Sequence, residues 1–211
     1  MSENNHEFKP IETHWRGCRF RSRLEARWAV VFEALCIDWE YEPEGFVLDD
    51  GSKYLPDFLL HGLEGRCEGD LYVEVKGRMT EKDMAKIEKF AKHKPIYLVT
   101  DIPFCYANGN KEFRDWYDEM ESMGNEWPYP YTFSTVDGDG GWGAYLGVNL
   151  RGMPELFTPN NVCDAHDWVM NPAFEAATRA RFEHGFRPED LDEYKVAKEE
   201  VMRIRSSQMR G

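Results

Sequence analysis

Tyr54-Leu55-Pro56-Asp57-Phe58-Leu59-Leu60 and, after a polar loop, Leu71-Tyr72-Val73-Glu74-Val75-Lys76-Gly77 are the two stretches that decide the fold. Both read as short strands. In the second, apolar Leu71, Val73 and Val75 alternate with Tyr72, Glu74 and Lys76, the period-2 pattern of a half-buried strand. Glu74 and Lys76 then share one face, roughly 7 Å apart along the strand. Pro56 removes a ladder donor, so the first strand is expected to lie at a sheet edge or to kink there. With Asp57 at the end of a neighbouring strand, two carboxylates and a lysine converge. Hard divalent cations take oxygen ligands, and Mg²⁺ is commonly held by one or two carboxylates plus phosphate and water. A lysine beside such a site can place or deprotonate a water, or offset charge growing on a phosphate.

Pro56-Asp57 and Glu74-Val75-Lys76 resemble the two halves of the PD-(D/E)xK nuclease motif. The resemblance covers about the first half of the chain and implies a restriction-endonuclease-like α/β (α+β) core. That core runs αβββαβ: helix, three-stranded meander, helix, strand, around a mixed central sheet. It also implies a set of roles. Asp57, Glu74 and the backbone carbonyl of Val75 would ligate Mg²⁺ or Mn²⁺, and Lys76 would activate or place the attacking water. Glu25 would supply the carboxylate of the first helix, as a further metal or water ligand or by orienting Lys76. TnsA-like transposon endonucleases and the junction resolvases both place a helix Glu ahead of the Asp and the E-x-K, so either branch fits.

Outward from the motif, the order can be followed along the chain. Residues 1–13 are polar, and Trp15 to Phe20 reads as an extended lead-in. Leu24, Trp28, Val31 and Leu35 recur at helical spacing from Phe20 to Leu35. Ser22-x-x-Glu25 is also a capping box, so Glu25 has a structural reading beside the functional one. Asp38–Tyr41 and Gly45–Leu48 read as strands. Asp49-Asp50-Gly51-Ser52 is a hairpin turn, and Lys53–Leu60 is the strand carrying Asp57. His61–Asp70 reads as a polar loop with solvated acids. Thr80 caps a second helix, with Glu81 and Asp83 in its first turn and Ala85, Ile87, Phe90 and Ala91 on its buried side. Pro95–Thr100 is a buried strand. Residues 14–105 therefore read as the core, and 106–211 as a C-terminal α/β extension packed on it. In the extension, Lys111–Met123, Asn171–His184 and Arg187–Arg205 read as helices. Thr132–Val136 and Ala144–Leu150 read as strands joined by a Gly-rich turn.

Composition bounds the rest. The 211 residues suffice for one sizeable core. No apolar run is long enough to span a membrane, and no signal pattern opens the chain, so a cytoplasmic protein without a membrane partner is expected. The 5 cysteines are odd in number and scattered, as for free thiols in a reducing compartment. Cys163-x-x-His166 has no second pair to complete a zinc set. Net charge is −13, which on average repels a polyanion. It is uneven: residues 1–100 hold 15 Lys+Arg against 19 Asp+Glu, and residues 101–211 hold 11 against 20. Arg21 and Arg23, with the helical stripe Lys82, Lys86 and Lys89, are candidates to face nucleic-acid phosphate.

The resulting expectation is a metal-dependent phosphodiesterase acting on DNA, with RNA as the other substrate class and endonucleolytic cutting favoured over exonucleolytic. Specificity would come from substrate structure, from a homodimer or from a targeting partner. The alternative is a non-catalytic nucleic-acid-binding or protein-interaction protein on the same fold, which the acidic balance favours.

Overall fold

The computed structural model describes residues 11–99, 102, 131–133, 142–143, 145–157 and 167–209. It is a mixed α and β protein built on one six-stranded sheet. A short hairpin, β1 (Thr13–Trp15) and β2 (Cys18–Phe20), leads into helix α1 (Arg23–Ala34). Strand β3 (Asp38–Tyr41) follows, then a small hairpin of β4 (Phe46–Val47) and β5 (Lys53–Tyr54). Next come β6 (Phe58–Leu63), β7 (Gly69–Val75), α2 (Glu81–Ala91) and β8 (Ile96–Val99). Strands β9 (Tyr131–Phe133) and β10 (Trp142–Gly143) extend the sheet to the order β10-β9-β8-β7-β6-β3. Among the described strand pairs of this sheet, β7–β8 alone is parallel, joined through α2. The hairpin β11 (Tyr145–Val148) and β12 (Pro154–Phe157) precedes α3 (Asp167–Arg179) and α4 (Asp192–Gln208).

The alternation in β7 sorts its side chains between two cores rather than between core and solvent. Leu71, Val73 and Val75 join the large core with Phe58, Leu60, Tyr97 and Val99. Tyr72 faces the other way, into a cluster with Tyr54, Ile87, Phe90, Ile96 and Leu98 under α2. The strand expected to be half-buried is thus buried on both faces from Leu71 to Val75, as strands covered by helices on each side are.

Helix α1 lies between the sheet and the α3–α4 pair. Phe32 meets Phe58 of β6 with ring centroids 5.3 Å apart, and Trp28 meets Phe174 of α3 at 6.3 Å. That explains why α1 is buried over more than the single stripe expected of it, Ala26, Ala29 and Val30 included. On α2 the buried side is Ile87, Phe90 and Ala91; Ala85 is exposed, and Met84 packs in its place.

Two other expectations change. Lys53–Leu60 is not one strand: it breaks at Leu55-Pro56-Asp57 into β5 and β6. Of the edge or kink expected at Pro56, the chain takes the second: β6 is not an edge strand, since it pairs with β3 and β7. Residues 61–63, expected as loop, continue β6, where Gly62 (φ +68°) accommodates a register shift against β7. Of the acids of that segment, Glu68 and Asp70 are exposed as expected; Asp70 also meets His61 at 2.9 Å, and the half-buried Glu64 meets Arg151 at 2.6 Å.

In the C-terminal half, β9, β11, α3 and α4 fall within or close to the segments expected, and β12 was not expected. Helix α3 stops at Arg179, before the expected His184. The expected helix 111–123, Cys163-x-x-His166 and most of the Gly-rich turn lie outside the described residues. Cys18, Cys36 and Cys67 are free thiols. Among the described residues, no helix is long and apolar enough to cross a membrane.

Candidate active site

The break at Pro56 builds the site. A regular ladder would continue from β6 past Asp57, but Pro56 has no amide to offer β7. The main chain of Asp57 is pinned from both neighbours instead: its amide donates to the Val73 carbonyl (3.1 Å), and its carbonyl accepts from the Glu42 amide just beyond β3 (2.8 Å). The next unpaired donor on β7, the Val75 amide, is met by the Asp57 carboxylate, Oδ2 at 2.7 Å. The carboxylate stands in for the missing strand.

One turn further, the parallel ladder fixes Lys76, whose amide donates to the Val99 carbonyl of β8 at 2.8 Å. Its ammonium reaches back to Glu74, Nζ to Oε1 at 2.6 Å, as the shared face of the two residues requires. The other oxygen of Glu74 accepts from the Tyr54 hydroxyl at 2.8 Å. Tyr54 is held in the α2-side cluster against Phe90, with centroids 4.9 Å apart.

Glu25 joins from α1. Ser22 is the N-cap, its Oγ accepting from the Glu25 amide at 3.1 Å. The box does not close in the usual way. Glu25 Oε1 accepts from the Ser22 hydroxyl (2.8 Å), and Oε2 accepts from the Arg21 amide (3.0 Å) and the Tyr41 hydroxyl (2.6 Å). The hook therefore falls one residue earlier than Ser22. It fixes Arg21, whose guanidinium pairs with Asp57 and, through Nε at 2.9 Å, with Glu42. The capping contacts of Glu25 and the Arg21–Asp57 pair thus belong to one network.

Three carboxylates in one place are electrostatically costly. Glu25, Asp57 and Glu74 are only 5%, 1% and 3% exposed. Burial pushes the Asp57 carboxyl up to about 7, and the charges of Glu74 and Glu25 add to the rise, against Lys76 and the Val75 amide. Burial works against the Lys76 charge, but Glu74 and Asp57 outweigh it and raise its pKa. Burial likewise opposes the Arg21 charge, which Asp57, Glu25 and Glu42 hold in place. Burial and then Glu74 raise the Tyr54 phenol, and burial and then Glu25 raise that of Tyr41.

A hard divalent cation fits this donor set. A carboxylate has about four lone-pair sites, and Asp57 and Glu74 each show two in use. Opposite charge would relieve the crowding that raises Asp57. Among the described residues, no group of three or more His, Cys, Asp and Glu is arranged to hold a metal. Asp57 and Glu74, with main-chain and solvent oxygens, are the residues here that could hold such an ion, while both oxygens of Glu25 are taken up by Ser22, the Arg21 amide and Tyr41.

The structure brings Glu25, Asp57, Glu74, Val75 and Lys76 together. It moves Arg21 from the candidate phosphate contacts into the site. Arg23 pairs with Glu183. On α2, Lys89 pairs with Asp50 at 2.6 Å and His93 with Asp49 at 3.1 Å, tying the helix to the β4–β5 turn; Lys82 and Lys86 are exposed. Sequence reasoning missed Tyr41 and Tyr54. Tyr54 lies in the same stretch as Asp57, but the break that turns it towards Glu74 carries no signal beyond Pro56. No family model matches the chain, and no curated protein or solved structure matches it.

Proposed function

We propose that the protein is a metal-dependent nuclease that hydrolyses phosphodiester bonds in DNA, with specificity set by substrate structure or by a partner. The observation that carries this reading is the convergence of Asp57, Glu74 and Lys76 at the broken end of β6 and the adjoining end of β7. The succession α1, β3-β6-β7, α2, β8 supports it, being the order implied by the resemblance to the PD-(D/E)xK superfamily.

Asp57 and Glu74, with the Val75 carbonyl, would hold Mg²⁺ or Mn²⁺. Such an ion, when bound, polarises the phosphate and lowers the pKa of water. Lys76, its pKa raised, is an ammonium at neutral pH. It donates to Glu74, and it would place or activate the attacking water or steady phosphate charge. Tyr54 orients Glu74. Glu25 is a positioning residue: with Tyr41 it fixes Arg21, and Arg21 holds Asp57.

Two observations favour the second reading, a binding protein on this fold. Every oxygen of the three carboxylates already has a protein donor, and the chain is strongly acidic. A labelled panel of linear duplex, single strand, flap, four-way junction and RNA decides between the two. The nuclease cuts at least one substrate with Mg²⁺ or Mn²⁺ and none in EDTA. Binding without cutting on every substrate supports the second reading.

A further inference from the structure

The chain carries a net −13, yet one cleft of about 1180 Å³ gathers four arginines. Arg23 and Arg27 come from α1, Arg179 from the end of α3, and Arg181 from the turn that follows. Among the described residues, one acid, Glu183, lines it with them. Arg23 pairs with Glu183 and Arg179 with Glu193, and such partly exposed pairs are readily exchanged. Arg181 is exposed and makes no ion pair among the described residues. Phe186 lines the same cleft and is exposed. It follows His184 and Gly185, both in the left-handed region (φ +56° and +75°), a reversal that sets the ring in the cleft.

We propose that this cleft binds a single-stranded segment of the nucleic-acid substrate, its phosphates on the arginines and one unpaired base on Phe186. Guanidinium forks match phosphate oxygens. The cleft is larger than a lone anion needs and suits a polymer. A duplex hides its base faces, so an exposed aromatic among arginines selects an unpaired strand. Arg23 and Arg27, four residues apart, share one face of α1, and Glu25, two residues from each, projects from another, so the same helix carries the cleft on one side and a site carboxylate on the other. The substrate class rests on the nuclease reading; the anion-and-base chemistry stands on the cleft itself.

The test is fluorescence anisotropy of a labelled oligonucleotide, single-stranded or annealed, in EDTA over a salt series. The wild type is predicted to prefer the single strand. Arg181→Ala lowers the slope of log affinity on log salt by about 0.7, and Arg181→Lys largely restores it. Phe186→Ala weakens single-strand binding on the order of 10-fold and leaves duplex binding unchanged. Circular dichroism melts confirm that the variants fold. Wild-type affinity for the single strand in both alanine variants overturns the proposal, as does an equal loss on duplex. Cleavage by the wild type with Mg²⁺ is scored separately. Cutting with unaltered binding in the variants sinks the cleft alone; binding through the cleft without cutting sinks the nuclease reading alone.

Discussion

Both oxygens of Asp57 are held, one by Arg21 and the other by the Val75 amide, and yet burial beside Glu74 and Glu25 raises its pKa from 3.8 to about 7. The folded state therefore keeps a proton that the unfolded state releases near pH 4. The stabilisation linked to that proton is complete below pH 4 and is lost as the pH rises to about 7. In EDTA, Asp57→Asn should remove this loss. Its melting temperature relative to wild type should climb from about pH 4 to about pH 7 and then level off. A difference that is flat across this range, or that falls, would contradict the electrostatics assigned to the site.

At the scale of elements, two N-caps of different weight can be compared. Thr80 and Asp83 form a closed and exposed capping box on α2, the Thr80 hydroxyl accepting from the Asp83 amide at 3.2 Å. Ser22 caps α1 and also donates to the buried Glu25 carboxylate. Thr80→Ala should cost about 0.5–1 kcal/mol and Ser22→Ala about 1–2 kcal/mol in urea unfolding; equal costs would mean that the Glu25 contact contributes nothing. Both caps are legible in the sequence, because capping depends on a few adjacent residues. So are α1, β3, β7, α2 and β8, whose period and turn residues agree. The Asp57, Glu74 and Lys76 set is legible for the same reason, lying on two neighbouring stretches. The break of β5 from β6, the extension of β6 to Leu63 and the second covered face of β7 are not local properties. Each depends on which strand or helix packs alongside. Tyr41 and Tyr54 enter the site through that same packing, as does Arg21 once Asp57 is turned towards it.

Over the whole molecule, α3 and α4 close the large core over α1, and Arg205 of α4 clamps the far side. Its guanidinium donates to the Gly152 carbonyl at 2.7 Å and to the Cys36 carbonyl at 3.1 Å, joining the β11–β12 turn to the end of α1. Gly152 has φ +76°, and a methyl there would lie 2.8 Å from Arg205 Cγ and 3.3 Å from the Val201 carbonyl. Gly152→Ala should therefore destabilise by about 1–3 kcal/mol, measured by chemical denaturation. A neutral result would show that the clamp yields freely. The net charge of −13 bears on substrate binding at the same scale. Binding should be confined to the arginine cleft and the site mouth, and weaken steeply with salt.

The most direct test of the central claim is the rate at which wild type and Lys76→Ala cut the preferred labelled substrate in Mn²⁺, both proteins shown to be folded. Lys76 touches Glu74 and, among the described residues, carries the one ammonium paired within the site, so the account predicts a loss of about 10²-fold or more in the variant. Cutting by Lys76→Ala at the wild-type rate, or no cutting by the wild type on any substrate, would contradict it.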